Sequence, residues 1–379
     1  MKVFQYIYKD GAWSPELPVN SGSQWVTMFG DRTLAQDFTN NNALKGAFPN
    51  ADIIGCSTSG EIAGAQVMDN SLILTAATFE ATKIACFSVD VDDYDDSYTA
   101  GSALSNNLES DQLKYALIIS NGTKVNGTKL VDGVRSQLAD DVVVTGGLAG
   151  DDDRFEESMV WLNNHHSPNL VVICGLYGDA LTVGHGSVGG WDQFGPARLI
   201  THSEDNVLYK LDDRNALELY KEYLGDHANG LPASALKFPL AISDNENSEY
   251  LVRTILSIDE EKQSMTFAGD LPEGQYARLM RANFDRLIDG ASEASEQALT
   301  DLKEIQPQLA LLISCVGRRL VLGQRVEEEL EEVAELTGDG CINTGFYSYG
   351  EISPLNDSFD CKLHNQTMTI TLFSEVVDA

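Results

Sequence analysis

Three times along the chain the apolar positions follow one plan: a short apolar run, a stretch of helical period, then a second short apolar run. The first pass has Trp25-Val26-Thr27-Met28-Phe29, a helix predicted over about residues 34–48, with Asp31 or Thr33 as its cap, and a return strand at 51–54. The second has a strand at 115–120, a helix over about 129–138 with Leu130, Val134 and Leu138 on one face, and a strand at 142–145. The third has a strand at 309–314 and a helix over about 324–336 that buries Val326, Leu330 and Val333. That helix turns Glu327, Glu328, Glu331 and Glu335 to solvent, and a strand at Ile342 follows. Strand, helix, strand at this length is one βαβ crossover. Both strands of such a unit run parallel, so the loops after them leave from the same edge of the sheet.

Between the crossovers the period changes to that of strands. An opening strand is predicted at 2–8, meanders at 72–79 with 83–89 and at 159–162, 170–176 and 181–188, and a glycine-dense break at 189–196. A helix at 213–224 leads to strands at 238–242, 250–258, 264–267 and 276–280, joined by the turn signals 244–247 and 271–274. A helix over about 283–305 and a final alternating strand at 366–373 complete the prediction. The class is α/β: two related halves with βαβ units and mixed sheets, plus antiparallel meanders. The length fits two domains, drawn as 1–205 and 206–379.

The two halves are suggested by a pair of matching loops, Gly55-Cys56-Ser57-Thr58-Ser59-Gly60-Glu61-Ile62 and Gly345-Phe346-Tyr347-Ser348-Tyr349-Gly350-Glu351-Ile352. All three crossovers share a wider punctuation. After the first strand a glycine precedes a base by two positions, as in Gly30/Arg32, Gly122/Lys124 and Gly317/Arg319. After the second strand a glycine is followed directly by an acid: Gly60-Glu61, Gly150-Asp151 and Gly350-Glu351. Bases and acids are therefore expected to converge on one rim.

Charge narrows the partners. The 379 residues hold 58 acids against 25 Lys and Arg, a formal net charge of -33, which repels phosphate backbones and anionic lipid. Nucleic acid and membrane are excluded as partners on that ground, and no apolar run approaches the ~20 residues of a membrane span. The first thirteen residues carry no apolar signal core, so a cytoplasmic address is expected. Six scattered cysteines without a C-x-x-C spacing point to buried small residues, not a zinc site or disulfide framework.

A polar ligand pocket at the rim would use Arg32, Lys124 or Arg319 for a carboxylate and Glu61, Asp151 or Glu351 for an ammonium or hydroxyl. Arg318 beside Arg319 is a further anion contact, and the loop side chains Cys56, Ser57, Ser59, Cys315, Tyr347 and Tyr349 complete the candidate set. In the competing reading the same charges close on one another as ion pairs that brace the loops. A second function class makes Cys56 or Cys315 a thiolate nucleophile, the latter activated by Arg318. No P-loop, zinc-protease or G-x-S-x-G pattern is present.

The segments 55–62, 146–152 (Gly-Gly-Leu-Ala-Gly-Asp-Asp), 314–319 (Ser-Cys-Val-Gly-Arg-Arg), 345–352 and 364–369 (His-Asn-Gln-Thr-Met-Thr) resemble the FIST domain family over nearly the whole chain. The resemblance implies an intracellular bacterial sensory module that binds a small ligand such as an amino acid and reports to a histidine kinase or cyclic-di-GMP enzyme. A chain of this length is also similar to the family's nitric-oxide-sensing subgroup, which implies haem. In that case His185 and His364 are the candidate metal ligands, with Arg318 and Arg319 facing propionates. A homodimer is left open.

Overall fold

The computed structural model describes residues 1–40, 43–152, 154, 156–245, 250–354 and 360–377. Each crossover forms as a parallel strand pair: Trp25–Gly30 with Asp52–Ser57, Leu113–Ser120 with Val143–Leu148, and Leu309–Cys315 with Ile342–Ser348. Each pair gains an antiparallel return strand, respectively Leu72–Thr78, Leu170–Tyr177 and Met368–Glu375. Outside these lie Lys2–Lys9, Lys83–Asp90 and Leu181–Val188, again antiparallel.

The other edge of each sheet is borrowed. The hairpin that follows the first acid loop, Glu61–Ala63 with Gln66–Met68, joins the third sheet. The hairpin Val160–Leu162 with His165–Ser167, from the second unit, joins the first sheet. Gly350–Pro354 with Cys361–His364, from the third unit, joins the second sheet. The three sheets thus share one strand order, and each unit lends its hairpin to another in a closed cycle. The mixed α/β class holds, with a repeat that counts three around a pseudo-threefold axis.

Why a glycine opens both matching loops follows from the ladder. Gly55, Gly146 and Gly345 stand opposite Met28, Ile118 and Leu312 in the parallel registers. A Cβ there would lie 1.7, 2.0 and 1.8 Å from the facing carbonyl oxygens. Only a residue without a side chain permits that approach.

Along the axis the inner faces of all three sheets bury one another, with Trp25, Phe29, Tyr115, Phe346 and Phe373 among the side chains. Phe29 and Phe346 pack with tilted rings at 4.7 Å between centroids, and Tyr115 meets Phe373 edge-on at 4.9 Å. Two of the sheet contacts add hydroxyl pairs, Thr75–Thr344 at 2.9 Å and Thr145–Thr371 at 2.8 Å. At the third, Cys174 and Ile54 join the apolar core. On the outer faces helices pack: Gly127–Arg135 on the second sheet, and Phe284–Asp301 with Val326–Thr337 on the third. Because helices cover one face and the axis the other, the crossover strands and Met368–Glu375 are buried on both sides. The alternation expected in the last strand therefore divides two buried faces, Met368, Ile370 and Leu372 under the helices and Thr371 and Phe373 toward the axis.

Residues 192–281 form a fourth, antiparallel sheet inserted between Leu181–Val188 and Phe284–Asp301. It begins with Asp192–Glu204, a long strand where the glycine-dense sequence had suggested only a break. Asp205 lies in the turn before Val207–Leu211, inside this insert. The first crossover helix is described as Arg32–Asn40 and Ala43–Ala47; residues 41 and 42 lie outside the described residues, as do Glu246 and Asn247 of the predicted turn. Among the described residues no helix is long and apolar enough to cross a membrane.

Candidate functional site

The three acid loops meet at the carboxyl ends of the crossover strands and hydrogen-bond one another through backbone. Gly150 N–H donates to Ser57 O, Ser59 N–H to Tyr347 O, Tyr347 N–H to Gly60 O, and Tyr349 N–H to Leu148 O. Ser57 Oγ donates to Gly150 O at 2.7 Å and accepts from Met159 N–H, while Ser59 Oγ donates to Asp152 O at 2.8 Å. These loops frame a cleft of about 540 Å³. Arg32, Ser57, Ser59, Glu61, Asp151 and Arg319 all line it, so members of all three units face one space.

Arg319, from the third unit's helix Val316–Leu322, reaches across the rim. Its Nη1 donates to Ser59 O at 2.5 Å, its Nη2 spans both Asp69 oxygens at 2.8 and 2.7 Å, and its guanidinium lies 5.7 Å from the Tyr347 ring centre. Gly60 makes this possible: it sits at φ +121°, and a Cβ there would lie 2.4 Å from Arg319 Nη1. Gly60→Ala is expected to cost about 1–3 kcal/mol through backbone strain and to displace Arg319; thermal unfolding and a structure of the variant check both.

Arg154 binds Asp151 Oδ1 at 2.6 Å and Asp152 at 3.1 Å. Arg32 donates through Nη1 to Glu157, at 2.9 Å to the carboxylate and 3.0 Å to the carbonyl. Among the described residues its Nη2 and Nε carry no bond. The bracing ion pairs weighed from sequence therefore exist, but with other partners: Asp69, Glu157 and Arg154 supply charges that the repeat punctuation does not contain.

Glu61 is 2% exposed and holds the floor of the cleft. Thr58 and Ser71 hydroxyls donate to its two oxygens, each at 2.6 Å. Burial pushes its pKa up to about 8, with Asp69 adding to the rise and Arg319 opposing it. Glu351 repeats the cradle, with Ser348 at 2.6 Å on one oxygen and the Thr367 hydroxyl and N–H at 3.0 and 3.1 Å on the other. Burial again raises the pKa, to about 7. Asn70 and Gln366, both at positive φ, precede Ser71 and Thr367 in the two copies. The copies differ in their cover. At the second, Gln366 bonds Thr254 at 3.0 Å and Arg253 bonds the Leu363 carbonyl at 2.9 Å, so the insert packs over the loop. At the first, the cradle opens on the cleft.

Several candidates lie elsewhere. Arg318 is fully buried, bonded to Glu329, Gly189 O and Leu287 O, and does not line the cleft. Lys124 is exposed at another part of the rim, with Nζ 2.5 Å from Asn169. Glu351 and Tyr347 are buried behind the loops, Tyr347 donating its hydroxyl to Glu329 at 2.8 Å. Tyr349 reaches Asp152 O at 3.3 Å and borders a smaller cavity under the insert. Cys56 sits in the axial core and Cys315 is 2% exposed; burial pushes both thiols up, so the nucleophilic thiolate is suppressed.

The two histidines named for haem lie far apart in character. His364 is buried with Nε2 3.1 Å from Ser353 O, and burial, aided by Arg253, lowers its pKa to about 4. His185 lies 3.1 Å from Asp301 in a separate groove bordered by Lys114, Asp141 and Lys303. That groove, of about 680 Å³, is also lined by Val143, Leu181 and Val183, whereas His364 is enclosed between strands.

Asp31, Asp69, Asp152 and Arg154 are the charged cleft residues that sequence reasoning did not place there. Asp69-Asn70 carried a turn signal at the end of a hairpin, and Arg154 closes the acidic run at 151–154.

The model of the FIST N domain matches residues 24–214 and that of the FIST C domain matches 216–354. A relative, the uncharacterized protein MJ1623 of Methanocaldococcus jannaschii, is 22% identical over 356 residues, which cover 82% of this chain and 66% of that protein. The chain thus spans slightly under two thirds of that relative's length.

Proposed function

This chain belongs to the FIST family, whose domains are sensory ligand-binding domains of signal transduction, and on that premise we propose that its cleft senses a small zwitterion of the α-amino-acid class. One observation carries the reading: Arg32, Arg154 and Arg319 share a cleft of about 540 Å³ with Asp31, Asp69 and Asp152. A carboxylate is suited to the guanidinium forks and an ammonium to the aspartates. Glu61, whose pKa burial pushes up to about 8, is mostly protonated at neutral pH and offers a hydrogen bond there without adding another negative charge.

A ligand joining units one, two and three would bias their arrangement, and that bias is the signal available to a partner. The partner class is a signalling protein such as a histidine kinase or a cyclic-di-GMP enzyme, acting in the cytoplasm. The cysteine-enzyme alternative gains no observation in its favour.

Thermal-shift measurements with the twenty common amino acids test the proposal. At a hundredfold excess over Kd the binding one should stabilise by about 2.7 kcal/mol, a rise of several degrees. Uniform failure of amino acids, beside a shift from haem, would reverse the assignment.

A further inference from the structure

Cys86 and Cys174 stand directly opposite each other in the antiparallel register of Lys83–Asp90 and Leu170–Tyr177. Their sulfurs are 2.6 Å apart. We propose that this pair is a redox modification site, two thiols held ready to close into a cross-strand disulfide when a peroxide oxidises them.

The geometry meets the covalent requirements. Opposed residues in an antiparallel ladder have Cα separations of about 4.5 to 5.5 Å, inside the ~4.4–6.8 Å that a disulfide spans. No backbone movement is needed. The two sulfurs also differ in access. Cys174 is fully buried in the axial core, whereas Cys86 is partly exposed on the outermost strand of the second sheet. Oxidant therefore reaches Cys86 first.

The chemistry balances with hydrogen peroxide as the two-electron oxidant. The Cys86 sulfur, on losing its proton, attacks one peroxide oxygen; the O–O bond breaks, and the departing hydroxide takes up that proton as water. Cys86 is left as a sulfenic acid. The Cys174 sulfur then attacks the Cys86 sulfur, the S–O bond breaks, and the Cys174 proton leaves with the hydroxyl as a second water. Two thiols and one peroxide become one disulfide and two waters. Burial raises the Cys86 pKa, so the first step is expected to accelerate with rising pH.

The consequence is mechanical. Cys174 occupies the position where the other two sheet contacts carry Thr75 and Thr371, so the new bond would tie an outer strand to the axial core at one of three equivalent places. This inference is independent of what the cleft binds.

The test treats the full-length protein with hydrogen peroxide, quenches, unfolds, alkylates with iodoacetamide and maps peptides without reductant. Expected is the loss of two of the six alkylatable thiols, a peptide joining the Cys86 and Cys174 segments with two hydrogens fewer, and recovery of all six thiols with dithiothreitol. Cys86→Ala, at a partly exposed position, should fold and lose no thiol pair, and Cys174→Ala should leave Cys86 to gain oxygen instead. Retention of all six thiols in the treated protein overturns the proposal. So does a Cys86 peptide that carries added oxygen without the cross-link, or a disulfide between any other two cysteines.

Discussion

Replacing Arg318 with methionine is expected to lower stability by about 3–5 kcal/mol, the range for breaking a buried ion pair by removing one partner. The guanidinium is fully buried and holds Glu329 through Nε at 3.1 Å and Nη2 at 2.8 Å. It also caps the carbonyls of Gly189 and Leu287 at 2.5 and 2.7 Å. The substitution keeps an unbranched apolar stem but leaves a buried carboxylate with only the Ser314 and Tyr347 hydroxyls. Because Arg318 ties the third crossover helix to the helix Phe284–Asp301, the loss also loosens the element that carries Arg319. Urea unfolding measures the first effect. Adding Glu329→Gln to Arg318→Met should recover a substantial part, since a neutral amide costs less to bury. A loss under about 1 kcal/mol in the single variant contradicts the assigned burial.

The second large effect is a fall in stability as pH rises from 5 to 8. Glu61 and Glu351 have folded pKa values raised to about 8 and about 7 by burial. In the unfolded chain both titrate near the ordinary value of about 4.3. Above that value the unfolded state has released protons that the folded state still holds, so stability must decline with pH. The contribution is complete below the unfolded pKa and is lost as pH passes through the folded values. At about 1.4 kcal/mol per unit for each proton, the decline from pH 5 to 8 is on the order of 2–4 kcal/mol for each carboxyl, roughly 6 kcal/mol for the two together. Glu61→Gln mimics the protonated carboxyl and should flatten the Glu61 share of that slope while keeping the Thr58 and Ser71 contacts. Denaturant titrations at pH 5, 6, 7 and 8 read it directly. A slope unchanged by both Glu61→Gln and Glu351→Gln contradicts the protonated cradle.

How far the sequence carried the argument depended on whether a feature was local. The three crossovers were legible because apolar runs and helical spacing are set within some thirty residues. Convergence of Arg32, Glu61, Asp151 and Arg319 followed from the handedness of such units, and these four share the cleft. The exchange of hairpins was not legible: Glu61–Ala63 pairs with Ile342–Ser348 across most of the chain, and three-residue strands carry little pattern. Lys124 and Glu351 obey the same punctuation yet stand apart from the cleft: the insert packs over the Glu351 loop, and Lys124 is exposed and turned to Asn169. Arg318 and Arg319 are adjacent in sequence, but successive residues on a helix point about 100° apart. One therefore enters the core and the other the cleft. Asp69 and Arg154 were missed because their charge matters only after the loops of different units meet.

The most direct measurement is calorimetric titration of the amino acid that gives the largest thermal shift, with the unaltered protein, Arg32→Ala and His185→Ala. Arg32 lines the cleft shared by the three units, and His185 lies in the separate groove beside Asp301. Losing a charge-assisted contact worth about 1.5–3 kcal/mol should weaken binding to Arg32→Ala at least tenfold, while His185→Ala binds as the unaltered protein does. Binding that survives Arg32→Ala unchanged and fails in His185→Ala would place the ligand outside the cleft and contradict the account.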